Sequence, residues 1–244
     1  MQPPCKRARA DGLERDLRTA GPACVVFDLD HTLWEGNCEE FSIASVLESP
    51  TELVDPATGR ALRLFPDVPR LFALLSDCRI PIGIASSSPA SRVAMRLLQS
   101  YGLSRMVAHA EVHAGRKEPH LREIARRLSV PLSKVLFFDD LTHNIRDAER
   151  LGCTAVRVSQ GMDFEQLRFG LKCFAERKRG SSLMSSWLNG GTSAQVGRDA
   201  DHHVDDETGE NRMEAGQHHE KDSLSRRLTM GEKTLAIRRE NPGD

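Results

Sequence analysis

The sequence lacks several features that would assign it to a particular class of protein. No run of apolar residues approaches the roughly 18 that a membrane-spanning helix needs, and no apolar stretch follows the basic residues near the N-terminus. The six cysteines include no Cys-x-x-Cys pair and no spacing typical of a zinc site. These absences predict a protein with neither a membrane span nor a secretory signal, with reduced thiols and a cytoplasmic location.

An excess of one charge sign is also missing. The 34 Lys and Arg residues nearly cancel the 35 Asp and Glu residues, which gives a formal net charge of -1. Proteins that bind nucleic acid through their charge are strongly basic, so we expect no nucleic-acid partner. We also expect no membrane partner and a monomer. The short basic cluster Lys6-Arg7-Ala8-Arg9 leaves an additional nuclear location open.

Large aromatic side chains are missing from the last part of the chain. All nine Phe and the single Tyr precede Arg177, and Gly, Ser, charged residues and His dominate after it. Such a composition buries too little apolar surface to offset the entropy of ordering, which predicts a disordered tail over 178–244. Residues 1–22 are polar and predict a flexible leader, so 23–177 remain as one folded domain.

Within that domain, short apolar runs alternate with amphipathic segments, a pattern typical of βαβ units. This pattern predicts an α/β fold, a three-layer Rossmann-like parallel sheet with helices on both faces. The turn-rich segment 55–60 lies between two short strand candidates and predicts a small β-hairpin flap. The main predicted strands are 24–28, 80–85, 106–108, 135–138 and 155–158, and the helices are 67–77, 90–101, 119–128, 142–151 and 163–176.

Polar side chains of a catalytic type follow these strands. Asp28 and Asp30 end the first strand, Ser86 ends the second, Lys117 follows the third, and Asp139-Asp140 ends the fourth. Ligands of open parallel sheets bind beyond the carboxyl ends of the strands, so these groups are expected together. Like charges so close require a cation or a proton, and carboxylate oxygens favour Mg²⁺.

Each of these features alone has an ordinary structural explanation. Single aspartates and serines at strand ends commonly cap helices or shape turns, and a lone lysine is usually a solvated surface residue. Their common position, each just past an apolar strand and in order along the chain, favours a catalytic site.

The same residues resemble the motifs of the haloacid dehalogenase-like superfamily of phosphatases. Asp28-Leu29-Asp30-His31-Thr32 is similar to its DxDxT signature, and Ser86, Lys117 and Asp139-Asp140-x-x-x-Asn144 match its later motifs in order. Further segments resemble the eukaryotic magnesium-dependent phosphatase family, and the resemblance covers about residues 23 to 176. These segments are Trp34, Leu64–Pro69, Phe137–Asp140 and Asn144-Ile145.

The resemblance implies a role for each motif residue. Asp28 is the implied nucleophile that forms an aspartyl-phosphate, and Asp30 is the implied general acid and base. Mg²⁺ is the implied cofactor, held by the Asp28 carboxylate, the Asp30 backbone carbonyl and Asp140. Ser86 and Lys117 are the implied ligands of the remaining phosphate oxygens.

Three further positions qualify this assignment. Asp140 is preferred over Asp139 as the metal ligand because the family's acid stands four residues before the Asn position. Thr32 is implied to brace the loop through hydrogen bonding. Ser87 is counted with the substrate-binding residues, although the family usually has Arg there, so substrate preference transfers less directly than mechanism.

The spacing of the motifs leaves room for the hairpin flap but for no large cap domain. An open site admits phosphate groups on bulky substrates. The activity that the resemblance implies is that of an acid phosphatase or protein-tyrosine phosphatase. The candidate substrates are phosphoprotein side chains, phosphotyrosine among them, and small molecules such as sugar phosphates.

Other functions compete with phosphomonoester hydrolysis. A phosphotransferase would use the same residues with a different acceptor. A dehalogenase-type displacement is disfavoured because dehalogenases of the superfamily lack the second aspartate, Asp30. A non-catalytic phosphate-binding or scaffold module is disfavoured by the intact Asp28, Lys117 and Asp140.

Overall fold

The computed structural model describes the backbone of residues 6–189 and the side chains of residues 12–180 apart from residue 20. The predicted tail residues 190–244 therefore lie outside the described residues. In chain order, the helices are α1 (Lys6–Ala20), α2 (Val68–Asp77), α3 (Ser91–Ser100), α4 (Lys117–Arg127), α5 (Thr142–Arg150) and α6 (Phe164–Asn189). The strands are β1 (Cys24–Phe27), β2 (Trp34–Glu35), β3 (Val46–Ser49), β4 (Glu52–Val54), β5 (Ala61–Leu64), β6 (Ile82–Ser86), β7 (Val107–Val112), β8 (Val135–Asp139) and β9 (Thr154–Arg157).

Five of these strands form a parallel sheet in the order β7-β6-β1-β8-β9. The central strand β1 pairs with both neighbours, with Val26 opposite Gly83 on one side and Phe137 on the other. Its side chains alternate between two hydrophobic clusters, Val25 and Phe27 in one and Val26 in the other. The predicted three-layer α/β fold is therefore confirmed.

The two clusters show which helices cover each face. The larger contains apolar residues of α1, α2, α3 and α6, and the smaller contains those of α4 and α5. Gly83 allows α4 to approach the sheet closely, because a Cβ atom there would lie 2.9 Å from a methyl group of Ile124. This close packing fixes the helix that carries Lys117.

The flap is a second, antiparallel sheet with the strand order β2-β5-β4-β3. The predicted hairpin is present as β4 and β5, and the buried Asp55 shapes its turn by accepting hydrogen bonds from the backbone N–H groups of Ala57 (2.9 Å) and Thr58 (3.2 Å). Strands β2 and β3 extend the hairpin and have no clear sequence signal, because β2 has only two residues and residues 35–49 show a mixed pattern of polar and apolar positions. No large cap is present within residues 6–189, as the motif spacing predicts.

The structure corrects the expected ends of the folded part. Residues 6–20 form α1 instead of a flexible leader, and Leu13 and Leu17 on one face of this helix are buried in the larger core cluster. The predicted domain end at 177 falls inside α6, which continues to Asn189. The leader prediction is therefore wrong for α1, and residues 178–189 are helical.

Two smaller properties complete the fold. The five cysteines within the described residues are free thiols, in keeping with the predicted reduced state. Between residues 6 and 189, no helix has both the length and the apolar composition that crossing a bilayer requires.

Candidate active site

The carboxyl ends of β1, β6 and β8 and the start of α4 border a cavity of about 500 Å³. β6 ends on Ser86, and Asp28 and Asp140 directly follow β1 and β8. Lys117 is the first residue of α4, two residues before the predicted start of that helix. The cavity brings together all six residues that the sequence predicts for the site: Asp28, Asp30, Ser86, Ser87, Lys117 and Asp140.

Lys117 is the one ammonium group in this lining, and its side chain is only 1% exposed. Its Nζ donates hydrogen bonds to Asp28 Oδ1 and, at 2.6 Å, to the backbone carbonyl of Ala85. Asp139 Oδ2 lies 3.3 Å from the same Nζ. A buried ammonium group is stable only when it is paired, so this arrangement holds both Lys117 and Asp28 in place.

Asp28 is buried among other carboxylates. Burial raises the pKa of Asp28 above its ordinary value; the Lys117 ammonium opposes this rise, and the Asp139 and Asp30 carboxylates add to it. One lysine therefore faces an excess of negative charge, and a divalent cation would relieve that excess.

The Asp30 carboxylate accepts two short hydrogen bonds at one oxygen and one long thiol hydrogen bond at the other. Its Oδ1 accepts hydrogen bonds from the Trp34 indole Nε1 at 2.7 Å and from the backbone N–H of Cys38 at 2.9 Å. Its Oδ2 lies 3.6 Å from the Cys38 thiol sulfur. This geometry fixes the orientation of Asp30 while its side chain remains only half-buried at the cavity.

The chain turns sharply just after Asp30. His31 adopts a positive φ of 57°, and the backbone N–H of Leu33 donates to the carbonyl of Leu29 at 2.8 Å. The Thr32 carbonyl accepts a hydrogen bond from Met162 at 2.9 Å, but the buried Thr32 Oγ1 has no partner among the described residues. The hydrogen bond that ties Thr32 to the neighbouring loop is thus made by its backbone carbonyl, and its hydroxyl makes none with the described residues.

Ser86 and Ser87 occupy different environments at the end of β6. Ser86 is buried, and its Oγ accepts a hydrogen bond from the backbone N–H of Ser88 at 3.3 Å. Ser87 is half-buried at the cavity wall. Two hydroxyl groups are therefore available beside the Lys117 ammonium to bind an oxyanion.

Asp139 and Asp140 are adjacent in sequence but differ in their contacts. The carboxylate of the fully buried Asp139 accepts hydrogen bonds from Asn144 Nδ2 (2.9 and 3.1 Å) and from the backbone N–H of Leu141 (2.8 Å). Asp140 lines the cavity and is half-buried, and burial together with the neighbouring Asp139 raises its pKa. This difference favours Asp140 over Asp139 as the metal ligand.

The residues present fit a magnesium ion of the predicted kind. Within the described residues, no cluster of three or more His, Cys, Asp or Glu side chains has the arrangement of a metal site. The predicted ligand set requires only two carboxylates, of Asp28 and Asp140, and the carbonyl oxygen of Asp30. Mg²⁺ commonly keeps several water ligands, and such a small, all-oxygen, negatively charged set suits it.

Sequence reasoning missed part of the lining. Asn37 and Glu39 reach the cavity from the segment that follows β2, whereas the hairpin turn 55–60 does not line it. His31 also lines it, and only its place inside the DxDxT-like motif could have indicated this. Asn37 and Glu39 carry no local signal, because the packing of the flap against the main sheet brings them to the site.

Comparisons with known proteins show what the chain is similar to. The family model described as Acid Phosphatase matches residues 20–177. Human Magnesium-dependent phosphatase 1 is 33% identical over 168 residues, which cover 68% of this chain and 96% of that protein. The HAD-like hydrolase superfamily protein P8B7.31 of Schizosaccharomyces pombe is 28% identical over 145 residues, 54% of this chain and 83% of that protein.

A solved structure is also similar. It is the N-terminal, phosphatase-domain part of the protein BF1531 from Bacteroides fragilis, complexed with Mg, and it matches with a TM-score of 0.47 and 15% identity. The match covers 66% of this chain and 43% of that chain.

Proposed function

The chain belongs to the acid phosphatase family, and from this premise we propose that it hydrolyses phosphate monoesters in a Mg²⁺-dependent reaction through an aspartyl-phosphate intermediate. The observation that carries the proposal is the buried contact of Lys117 with Asp28 at the floor of an open cavity. Lys117 holds one oxygen of a carboxylate whose other oxygen makes no hydrogen bond within the described residues, as a nucleophile requires.

In the first step, the free Asp28 oxygen attacks phosphorus. The new bond joins Asp28 to the phosphoryl group, the ester P–O bond breaks, and the leaving alcohol takes a proton from Asp30. Trp34 and the Cys38 backbone hold Asp30 Oδ1, so we assign the proton transfer to Asp30 Oδ2.

In the second step, the roles reverse. Asp30 removes a proton from a water molecule, the water oxygen bonds to phosphorus, and the acyl-phosphate bond breaks to release inorganic phosphate and free Asp28. Ser86, Ser87 and Lys117 bind phosphoryl oxygens in both steps.

The magnesium ion would be held by Asp28, the Asp30 carbonyl oxygen and Asp140. When bound, it supplies a positive charge that offsets the carboxylates and the phosphoryl oxygens. Removal of Mg²⁺ with a chelator is therefore expected to abolish turnover, and added Mg²⁺ is expected to restore it.

The proposed substrates are phosphorylated small molecules or phosphoprotein side chains. The absence of a large cap within residues 6–189 leaves the cavity open to bulky leaving groups, and the family supplies phosphate-ester chemistry. No contact within the described residues favours a non-catalytic role or transfer to another acceptor over hydrolysis.

The variant Asp28→Asn tests this function. It removes the nucleophile but keeps the shape of the side chain, so Mg²⁺-dependent hydrolysis of an aryl phosphate should fall by at least about a thousandfold. Asp77→Asn, which changes an exposed aspartate at the end of α2, is the matched control and should leave turnover unchanged. Circular dichroism should show the native spectrum for both variants.

A trapping experiment tests the intermediate directly. Borohydride reduces an acyl phosphate to an alcohol, so rapidly quenched wild-type enzyme should carry that reduced product at position 28 by mass spectrometry. Full turnover in Asp28→Asn, or a reduced residue at another aspartate, would overturn the nucleophile assignment.

A further inference from the structure

A second cavity, of about 430 Å³, lies beside the candidate active site. The two cavities share three lining residues, Ser87, Leu141 and Asn144. The two cavities are therefore adjacent, and the small side chain of Ser87 lies at their common border. We call the second the arginine cavity after the three arginines that line it: Arg116, Arg146 and Arg150.

The arginine cavity is cationic. Its three guanidinium groups and His143 face a single acidic residue, the buried Asp147. Arg116 Nη2 and Arg150 Nη1 lie 2.8 Å and 2.7 Å from Asp147 Oδ1. One carboxylate cannot neutralise three guanidinium groups, so the cavity retains a net positive charge.

Arg146 is the group most available to a ligand. It is exposed, it lines the cavity, and it forms no ion pair with any side chain of the described part of the chain. Arg116 and Arg150 are held by Asp147 but remain 69% and 68% exposed. Pairing with Asp147 thus orients two guanidinium groups and leaves their other N–H groups free to donate.

The backbone adds to the positive potential. Helix α5 begins beside both cavities, with Leu141 as its N-cap, and it has neither a side-chain cap nor an acidic residue in its first turn. The exposed N–H groups at such a helix end carry partial positive charge and favour anions.

The two cavities have opposite charge. Asp28, Asp30, Glu39 and Asp140 oppose one lysine in the active-site cavity, so the site needs a metal ion to hold the reacting phosphate. The arginine cavity needs no metal ion to hold an anion. We propose that the arginine cavity binds a second anionic group, a carboxylate or a phosphate, of the small phosphate monoester whose reacting phosphate lies at Asp28.

This inference rests on the proposed function and narrows its substrate class. Guanidinium groups bind carboxylate and phosphate oxygens in a forked geometry, so both groups belong to the same recognition chemistry. The preferred substrate is then a phosphorylated acid or a bisphosphate, and monoesters without a second charge are poor substrates.

The test compares matched substrates in the wild-type enzyme and Arg146→Ala. The substrates are an alkyl phosphate, the ω-carboxyalkyl phosphate of the same length and the corresponding alkanediol bisphosphate, over a series of linker lengths. At the best length, the wild-type enzyme should favour one or both doubly charged substrates in kcat/KM, and Arg146→Ala should lower that preference about tenfold. The doubly charged substrate that the enzyme prefers identifies the second group as a carboxylate or a phosphate.

Arg105→Ala is the matched control. Arg105 is an exposed arginine just before β7, at the opposite edge of the parallel sheet, so its loss should leave the preference unchanged. An equal preference in wild-type and Arg146→Ala enzymes would overturn the proposal. Acidic phosphopeptides are assayed beside these esters, and a preference confined to the peptides would overturn the proposal as well, because the ligand would then be a protein.

A binding experiment distinguishes failure of this inference from failure of the proposed function. If wild-type enzyme hydrolysed none of these esters, the proposed function would fail, and calorimetry with alkyl and ω-carboxyalkyl phosphonates would still decide the inference. The wild-type protein should bind the doubly charged phosphonate about tenfold more tightly, and Arg146→Ala should lose that difference. Equal affinities in the wild-type protein would overturn the arginine cavity as an anion site.

Discussion

The position of Asp30 depends on Trp34, which the sequence marks only as a point of family resemblance, and on Cys38, which belongs to none of the motifs. Trp34 and Cys38 both donate to Asp30 Oδ1, one through its indole and one through its backbone. The indole ring is fully buried and packs against Tyr101 with the ring centroids 6.2 Å apart. Trp34 is therefore rigid, and its hydrogen bond selects one orientation of the Asp30 carboxylate.

Replacing Trp34 with Phe should slow the chemical step more than it weakens substrate binding. The variant keeps an aromatic ring but loses the 2.7 Å hydrogen bond to Asp30. Hydrogen bonds to charged groups contribute about 1.5–3 kcal/mol, so kcat for an aryl phosphate should fall by about 10- to 100-fold with KM nearly unchanged. Steady-state kinetics of the Mg²⁺-loaded enzyme measures this split.

Tyr101→Phe is the control for this variant. It removes a buried hydroxyl that donates to the Leu62 carbonyl at 2.6 Å, without touching Asp30. Thermal denaturation of both variants separates lost stability from lost catalysis. If Trp34→Phe raised KM and left kcat unchanged, this result would contradict a positioning role for the indole.

At the scale of single residues, the sequence indicates the proposed catalytic residues but not the residues that position them. Asp28 and Asp30 are conspicuous because charged residues rarely end a buried apolar strand. The link from Cys38 to Asp30 spans a turn at His31, which adopts a left-handed backbone conformation that a non-glycine residue seldom adopts. Such a contact depends on the path of the backbone, which residue patterns do not record.

Some secondary-structure elements could also be predicted from the sequence, and others could not. The central strands were predictable because they are continuous apolar runs, and their helices because the apolar positions recur with helical spacing. Helix α1 was not, because its described buried positions are two leucines, Leu13 and Leu17, among mostly polar residues. Its stability comes from packing on the larger core cluster, which a local pattern does not reveal.

The variant Leu17→Ala tests whether α1 belongs to the folded domain. Leu17 is 1% exposed, and truncating a buried leucine costs about 2–5 kcal/mol of unfolding free energy. Urea denaturation followed by circular dichroism should show a loss at the lower end of that range, because α1 lies at the edge of the fold. Arg15→Ala, on the exposed face of the same helix, should change the unfolding free energy by less than about 0.5 kcal/mol. Equal stabilities of wild type and Leu17→Ala would mean that residues 6–20 contribute nothing to the core.

For the molecule as a whole, parallel topology explains why the site could be located from sequence. The strands of the main sheet all run the same way, so residues far apart in the chain meet at one edge. Lys117 and Asp28 are 89 positions apart, yet they are hydrogen-bonded. The arginine cavity was not predictable, since Arg116, Arg146 and Arg150 meet only through the packing of α4 beside α5.

The C-terminal boundary of the folded domain is a question at the scale of the whole chain. Every buried apolar side chain among the described residues lies at or before Phe174, although α6 continues to Asn189. Arg177, at the end predicted from composition, still donates a hydrogen bond to the Cys153 carbonyl. Truncation after residue 177 would therefore end the chain within α6. Truncation after residue 189 keeps the described length of α6 intact.

Truncation after Asn189 should leave Mg²⁺-dependent hydrolysis of an aryl phosphate within about twofold of the full chain, because the described site and core lie before that point. Truncation after Asp163 is the opposing control: it removes Leu167, Leu171 and Phe174 from the larger core cluster and should abolish the cooperative unfolding transition. Turnover, circular dichroism and urea denaturation of the three chains measure both effects. A large loss of turnover after the first cut, with the unfolding transition intact, would assign residues 190–244 a direct part in catalysis.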